Sequence, residues 1–208
     1  METLEEKIQR VTAEEVDVVP YDPRWPILFE MERNHLRACL PLELIGRIAH
    51  FGSTAVPGLP AKPIVDILAE AADLAATRRK IVPILEGQGY DYFWRPSFDD
   101  DRPPFYAWFI KRDASGKRTH HIHMVERDSE LWDRLLFRDY LINHPGTARE
   151  YGALKMRLGE MHRGDRVAYT RAKTDFIVAV TRKAKESTGP EAADRGEGLS
   201  PGRTLIGR

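Results

Sequence analysis

"HFGSTAVPGLPAKPIVDILAE", residues 50–70, is the stretch that decides the fold. A glycine-serine pair ends one apolar run, a proline-rich loop follows, and a second apolar run carries one aspartate, Asp66. "ELIGRIAHF" (43–51) reads as a strand feeding the turn, and "PIVDILAE" (63–70) reads as a second strand. Gly52 has no Cβ, so the backbone there can approach a ligand closely. Ser53 and Thr54 offer hydroxyl and N–H groups to phosphate oxygens. A carboxylate on the adjacent strand suits a divalent ion that neutralises the same phosphates. An unpaired carboxylate in an apolar strand is costly, so Asp66 needs a partner or a metal. Strand alternation puts Asp66, Leu68 and Glu70 on one face, and Val65, Ile67 and Ala69 on the other. Lys62, held between Ala61 and Pro63, lies within reach of either the phosphates or Asp66.

Upstream, "EEVDVVPY" (14–21) alternates into a short strand, and residues 1–13 are expected to be a flexible, charged arm. Trp25, Leu28, Phe29, Leu36 and Leu40 recur at helical spacing after Asp22 and Pro23. Downstream, Asp73 caps a helix that ends at Gly87 and carries an irregularity at Pro83. "YDYFW" (90–94), "FYAWFIK" (105–111) and "KRTHHIHMVE" (117–126) read as strands, the last two joined by a hairpin turn containing Gly116. From Ser129 onward the pattern is helical, in three runs interrupted at Pro145 and Gly164. Residues 187–208 are rich in Gly, Pro and Ser with few large apolar groups, and are expected to be a disordered tail. The sum is one mixed α+β domain over residues 14–186, a sheet with helices followed by a C-terminal three-helix layer.

Composition sets the outer bounds. The 208 residues carry 32 Lys+Arg against 32 Asp+Glu, so no global field points to nucleic acid or to an anionic membrane. Cys39 is the single cysteine, which excludes an internal disulfide and a cysteine-rich zinc site; its leucine neighbours suggest a buried thiol. "METLEEKIQR" lacks the apolar core of a signal peptide, and no run approaches bilayer length. A cytoplasmic protein is expected.

The turn, loop and acidic strand resemble the signature of the polymerase-beta-like nucleotidyltransferase superfamily. "GSTAVPGLPAKPIVDI" (52–67), "HIH" (121–123), "FRDYL" (137–141), "AREYGALK" (148–155) and "AYTRAKTDFI" (168–177) resemble, in order, the blocks of its GrpB branch. The resemblance covers about residues 16–183. It implies a nucleotidyltransferase-like mixed sheet, a nucleoside triphosphate as substrate or ligand, and Mg²⁺ as cofactor. One position departs from the superfamily pattern. Catalytic members carry a second carboxylate two residues after the first, where this chain has Leu68. Glu70 shares the face but lies about 13 Å further along the strand, too far to share an ion.

His121 and His123 fall on one strand face, with His120 on the other, expected at the surface. Two such imidazoles can ligate one metal or flank a phosphate as acid and base. Alternatively they lie on a half-exposed sheet, bonded to backbone or carboxylate. With the resemblance, His121 or His123 takes the place of a third superfamily carboxylate. His50 reads as an ordinary strand residue. Tyr151 and Lys155, like Tyr169 and Lys173, are four apart and share a helix face, so the two pairs could line a cleft opposite the glycine-serine turn. Lysines on an amphipathic helix, and Arg138 beside Asp139, also fit an ordinary solvated surface.

Three readings follow. The first is metal-dependent transfer of a nucleotidyl group to a small acceptor. Ser53 and Thr54 would cradle phosphates beside Gly52, Asp66 would hold the metal, and His121 or His123 would be ligand or base. Lys62, with Arg138 or Lys173, would neutralise developing charge. The second is a nucleotide-binding module that has lost transfer, as Leu68 suggests. The third is a single-metal hydrolase built on Asp66, His121 and His123.

Overall fold

The computed structural model describes residues 2–97 and 104–188. Its five strands are β1 (Ile45–Phe51), β2 (Val65–Ala71), β3 (Asp91–Pro96), β4 (Phe105–Arg112) and β5 (Arg118–Val125). They form one sheet in the order β1-β2-β5-β4-β3. Only the central pair, β2 with β5, runs parallel; the other three pairs are antiparallel. The parallel pair sets Asp66 opposite His121 and Leu68 opposite His123. The expected mixed α+β architecture is therefore present.

One face of the sheet carries Val65, Ile67, Ala69, Phe109 and Ile122, and is sealed by α2 (Trp25–Cys39) and α4 (Val82–Gly87) through Trp25, Phe29, Leu36, Val82 and Leu85. Full burial of side chains of this size stabilises the fold by about 1.5–3 kcal/mol each. The opposite face carries Leu68, Tyr106, Trp108 and Ile110 in a second, aromatic-rich cluster with Phe51 and Phe93. A third cluster joins the loop residues Val56 and Leu59 to Phe137, Leu141, Tyr151 and Val180 of the C-terminal helices. That contact brings the helical layer up against the proline-rich loop following the glycine-serine turn.

Several expectations need correction. Residues 1–13 are not a loose arm, since Leu4–Thr12 forms a helix, α1, with a reciprocal cap between Thr3 and Glu6. Lys7 donates to the Tyr92 carbonyl at 3.0 Å and Arg10 pairs with Asp91 at 2.8 Å, so charge and packing against the sheet edge order the segment. The expected strand at 14–21 reduces to one bridge, Val19 with Ala61. The helix after Asp73 is broken into α3 (Leu74–Ala76), a π-helical stretch (Thr77–Ile81) and α4, with Pro83 in the first turn of the last piece. Among the described residues the C-terminal layer has four helices instead of three: α5 (Arg134–Asn143), α6 (Pro145–Met161), α7 (Arg166–Arg171) and α8 (Thr174–Thr188). Cys39 is half-buried, with Sγ 3.8 Å from His35 Nε2. Helix α8 runs past the expected start of the tail at 187, and the rest of the tail lies outside the described residues. Among the described residues no helix is long and apolar enough to cross a membrane.

Candidate metal and phosphate site

Strand β1 ends at Phe51, and Gly52 turns the chain with φ +74° and ψ −171°, a conformation that only glycine adopts without strain. The reason for glycine is also steric. A Cβ built on Gly52 would lie 2.5 Å from Asp66 Oδ2, so the carboxylate rests against bare backbone. Ser53–Ala55 then makes a 3-10 turn. The buried Thr54 hydroxyl donates to the Ile64 carbonyl (3.2 Å) and lies 3.0 Å from His50 Nε2. These bonds tie the turn to the start of β2 and occupy the Thr54 hydroxyl, leaving its backbone as the only part able to meet a phosphate.

Asp66 Oδ1 accepts from His121 Nδ1 at 3.0 Å. His123 Nδ1 lies 3.2 Å from the Tyr106 hydroxyl. One ligand atom each from Asp66, His121 and His123 all lie within 4.8 Å of one another. Aromatic rings wall the group: Phe51 and Tyr106 at 5.1 and 5.4 Å from the His123 ring, Trp108 at 5.1 Å from that of His121. Burial pushes the His121 imidazole down to about 4 against the pull of Asp66, and pushes His123 well below its ordinary value. Both are neutral at pH 7 and able to act as ligands. Burial alone would raise the Asp66 carboxyl, but the His121 hydrogen bond and nearby positive charge hold it at about 2. Its side chain remains 29% exposed, open to a ligand.

Three cations, Lys62, Lys173 and Arg166, lie within electrostatic reach of this acid. Lys62 and Lys173 place their ammonium groups 5.4 and 4.1 Å from the Tyr169 ring centroid. Neither has a carboxylate partner among the described residues. Burial lowers Lys173 to about 8 and Lys62 well below the ordinary lysine value, with Arg166 adding to both. Arg166 Nε is buried without a hydrogen-bond partner, and its nearest acid, Glu14, is 3.6 Å from Nη2. Glu14 also holds Arg112 (2.7 Å) and Arg118, and Arg118 Nη1 approaches His121 Nε2 at 3.5 Å. Asp66 and Glu14 thus face more positive charge than they neutralise. Positive charge of this kind, desolvated and unpaired, either sheds its proton, as the lowered lysines do, or is met by an anion that restores it.

The GrpB protein family matches residues 15–183 of the chain. The chain belongs to the GrpB family. A UPF0157 protein of Pseudomonas aeruginosa is 41% identical over 174 residues, 83% of this chain and 69% of that one. The UPF0157 protein YqkA of Bacillus subtilis is 33% identical over 171 residues, 82% of this chain and only 47% of that one. The crystal structure of a conserved GrpB protein from Enterococcus faecalis superposes with a TM-score of 0.71 at 32% identity, covering 82% of this chain and 98% of that one.

In this GrpB chain, Gly52, Asp66, His121 and His123 meet at one point on the sheet, and Lys62 and Lys173, both set on the Tyr169 ring, lie within electrostatic reach of Asp66. Ser53 lies beside the phenol of Tyr151 and favours its ionised form against burial. Tyr151 itself is buried and stacked on Phe176, with the Lys155 ammonium 4.8 Å from its ring. Lys155 donates to the Pro60 carbonyl, so it braces the loop as well as adding charge. Burial drops it to about 6. Arg138 donates to the His50 carbonyl at 2.6 Å and to Asp139 at 2.7 Å, which fastens the end of β1 to α5. His120, expected at the surface, is buried on the opposite face, where α2 covers it. His50 stacks on Phe29. Glu70 pairs with Arg127 at 3.0 Å, away from the site.

Five residues at the site were not read from the sequence: Glu14, Tyr106, Trp108, Arg118 and Arg166. Arg166 had a signal, because it precedes Tyr169 by three and Lys173 by seven, a helical face. Glu14 had none, since its three arginines lie about 100 to 150 residues away in the chain.

Proposed function

We propose that this protein binds a nucleoside triphosphate together with a divalent ion and transfers the nucleotidyl group to a small acceptor. The observation that carries the reading is an ionised carboxylate pressed against a glycine turn, within electrostatic reach of two lysines that have no carboxylate salt bridge among the described residues and of Arg166, whose partner Glu14 also serves Arg112 and Arg118. The donor set can accommodate Mg²⁺ through Asp66 alone, since this ion takes one or two carboxylates and completes its shell with phosphate and water oxygens. A bound ion would supply charge neutralisation at the phosphates. The chain's own residues do the rest. The Gly52–Ser53 backbone admits the phosphates closely, and Lys62, Lys173 and Arg166 take their charge. Tyr169 holds both ammonium groups in place through its ring. In transfer, the acceptor oxygen or nitrogen forms a bond to the α-phosphorus and gives its proton to water, the bond from the α-phosphorus to the bridging oxygen breaks, and pyrophosphate leaves with the electron pair. A triphosphate substrate fits a cytoplasmic setting and calls for neither nucleic acid nor membrane.

Leu68, fully buried where the superfamily pattern has a second carboxylate, favours a second reading in which the nucleotide binds without transfer. A thermal-shift screen of nucleoside triphosphates with Mg²⁺ or Mn²⁺ tests binding, because a ligand raises the melting temperature by mass action. Stoichiometric pyrophosphate release from the best binder supports transfer. Binding without release supports the second reading, inorganic phosphate release supports a hydrolase, and no shift with any nucleotide contradicts both nucleotide readings.

A further inference from the structure

We infer that Asp66, His121 and His123 form a three-ligand site for a nitrogen-binding first-row transition ion of the Mn²⁺ to Zn²⁺ class, with His123 on β5 supplying the ligand that Leu68 cannot. The inference deepens the proposed nucleotide site and rests on it for the ion's role, though not for its binding.

The ladder register carries the argument. β2 and β5 are parallel neighbours, with Asp66 beside His121 and Leu68 beside His123. A ligand two residues beyond Asp66 on β2 would project beside His123. Leu68 fills that place as hydrocarbon, in a cluster with Phe51, Tyr106 and Trp108, and the imidazole one strand over presents a nitrogen instead. Two nitrogens and one carboxylate make a donor set that favours imidazole-binding metals over Mg²⁺, which prefers oxygen. Three protein ligands also leave coordination positions open for a phosphate oxygen or water.

The supporting contacts are of the kind that orient metal-binding histidines. His123 Nδ1 meets the Tyr106 hydroxyl, so Nε2 is left without a hydrogen bond among the described residues. An acceptor oxygen on the far nitrogen fixes the ring of a ligating histidine, and the Tyr106 hydroxyl oxygen stands in that place. His121 presents Nδ1 toward Asp66, so an ion between them replaces that hydrogen bond and shifts the imidazole proton to Nε2. Arg118 stands 3.5 Å from Nε2 and would lose that weak contact while keeping Glu14 and the Val11 carbonyl. The ligand atoms must also close in. Three atoms each about 2.1 Å from one ion in a tetrahedral site lie about 3.4 Å apart, against the 4.8 Å within which the three lie here. Binding therefore requires the side chains to turn inward by up to about 1.4 Å.

The test is titration of Co²⁺ into metal-stripped protein, read by visible absorption without nucleotide. One equivalent should bind and give ligand-field bands, Zn²⁺ should displace it, and a thousandfold excess of Mg²⁺ should not. His123→Gln and His121→Gln should each weaken Co²⁺ binding tenfold or more. His120→Gln, on the far face of the same strand, should leave it unchanged. Absence of Co²⁺ binding, displacement by Mg²⁺, or equal effects of the three substitutions would overturn the inference. The Mg²⁺ competition uses the unmutated protein, so it decides the matter even if a variant folds poorly. Nucleotide binding with Mg²⁺ but no Co²⁺ site would sink this inference alone. A Co²⁺ site with no nucleotide binding would sink the proposed function alone.

Discussion

Replacing Gly52 by alanine tests the claim that the turn exists to seat a carboxylate. Gly52 has φ +74° and ψ −171°, and its new Cβ would lie 2.5 Å from Asp66 Oδ2 and 3.1 Å from Asp66 Cβ. Backbone strain in this region costs about 1–3 kcal/mol for a residue with a side chain. The clash is a separate cost. Asp66 must swing away, which breaks the charge-assisted bond from His121, worth about 1.5–3 kcal/mol. The expected loss is about 4 kcal/mol, a drop of about 8–16 °C in melting temperature for a chain of this size. Gly58→Ala provides the control. That glycine also has positive φ (+76°), but no atom lies within 4 Å of its built Cβ, so only strain applies, about 1–2 kcal/mol. Thermal or urea unfolding of both variants gives the difference. If Gly52→Ala is no more destabilising than Gly58→Ala, the carboxylate does not depend on the bare backbone and the reasoning fails.

Further expectations concern protons and loop bonds. His121 and His123 are neutral in the fold, with His121 at about 4 and His123 also lowered, while the unfolded chain binds their protons near 6.5. Stability should therefore fall as pH drops from about 6.5 toward 4, by up to about 1.4 kcal/mol per pH unit for each group. Equal urea midpoints at pH 7.5 and 5.5 would contradict the neutral pair. Lys173, at about 8, should gain a proton when a phosphate joins it, so nucleotide binding near pH 8 should take up protons. Titration calorimetry in buffers of different ionisation enthalpy should show that uptake, and Lys173→Met should reduce it, leaving the share taken up by Lys62; buffer-independent heats in the unmutated protein would refute it. Thr54→Val removes the hydroxyl bonded to the Ile64 carbonyl and His50, and should cost about 1–3 kcal/mol of stability with nucleotide affinity unchanged. Weakened binding in a variant of normal stability would give that hydroxyl a ligand role.

Much of this arrangement was legible in the sequence because it depends on short-range pattern. The period-two alternation around Asp66 fixed its face, and the same alternation in "THHIHM" set His121 and His123 apart from His120. Whether those two faces were one face needed the β2–β5 register, which no local pattern encodes. The misreading of His120 has the same origin: alternation showed that it pointed away from the pair but could not show that α2 covers that side. Arg138 and Lys155 looked like phosphate contacts, yet both donate to backbone carbonyls, of His50 and Pro60, in segments brought near only by tertiary packing. Helix α1 read as loose because its charge was visible and its partners Asp91 and Tyr92, some eighty residues away, were not. The break between α7 and α8 fell within one continuous helical run, with neither proline nor glycine to mark it.

The central claim is that Asp66 serves a metal-bound phosphate and is not merely the partner of His121 and the nearby lysines. Asp66→Asn removes the charge at nearly constant volume, and the amide oxygen can still accept from His121 Nδ1. The decisive measurement is calorimetric titration of this variant with the triphosphate that gives the largest thermal shift, in Mn²⁺, alongside its melting temperature. The account expects a folded protein whose metal-dependent nucleotide affinity has fallen tenfold or more, at least about 1.4 kcal/mol. Unchanged nucleotide affinity with a lowered melting temperature would make Asp66 a structural residue and contradict the account.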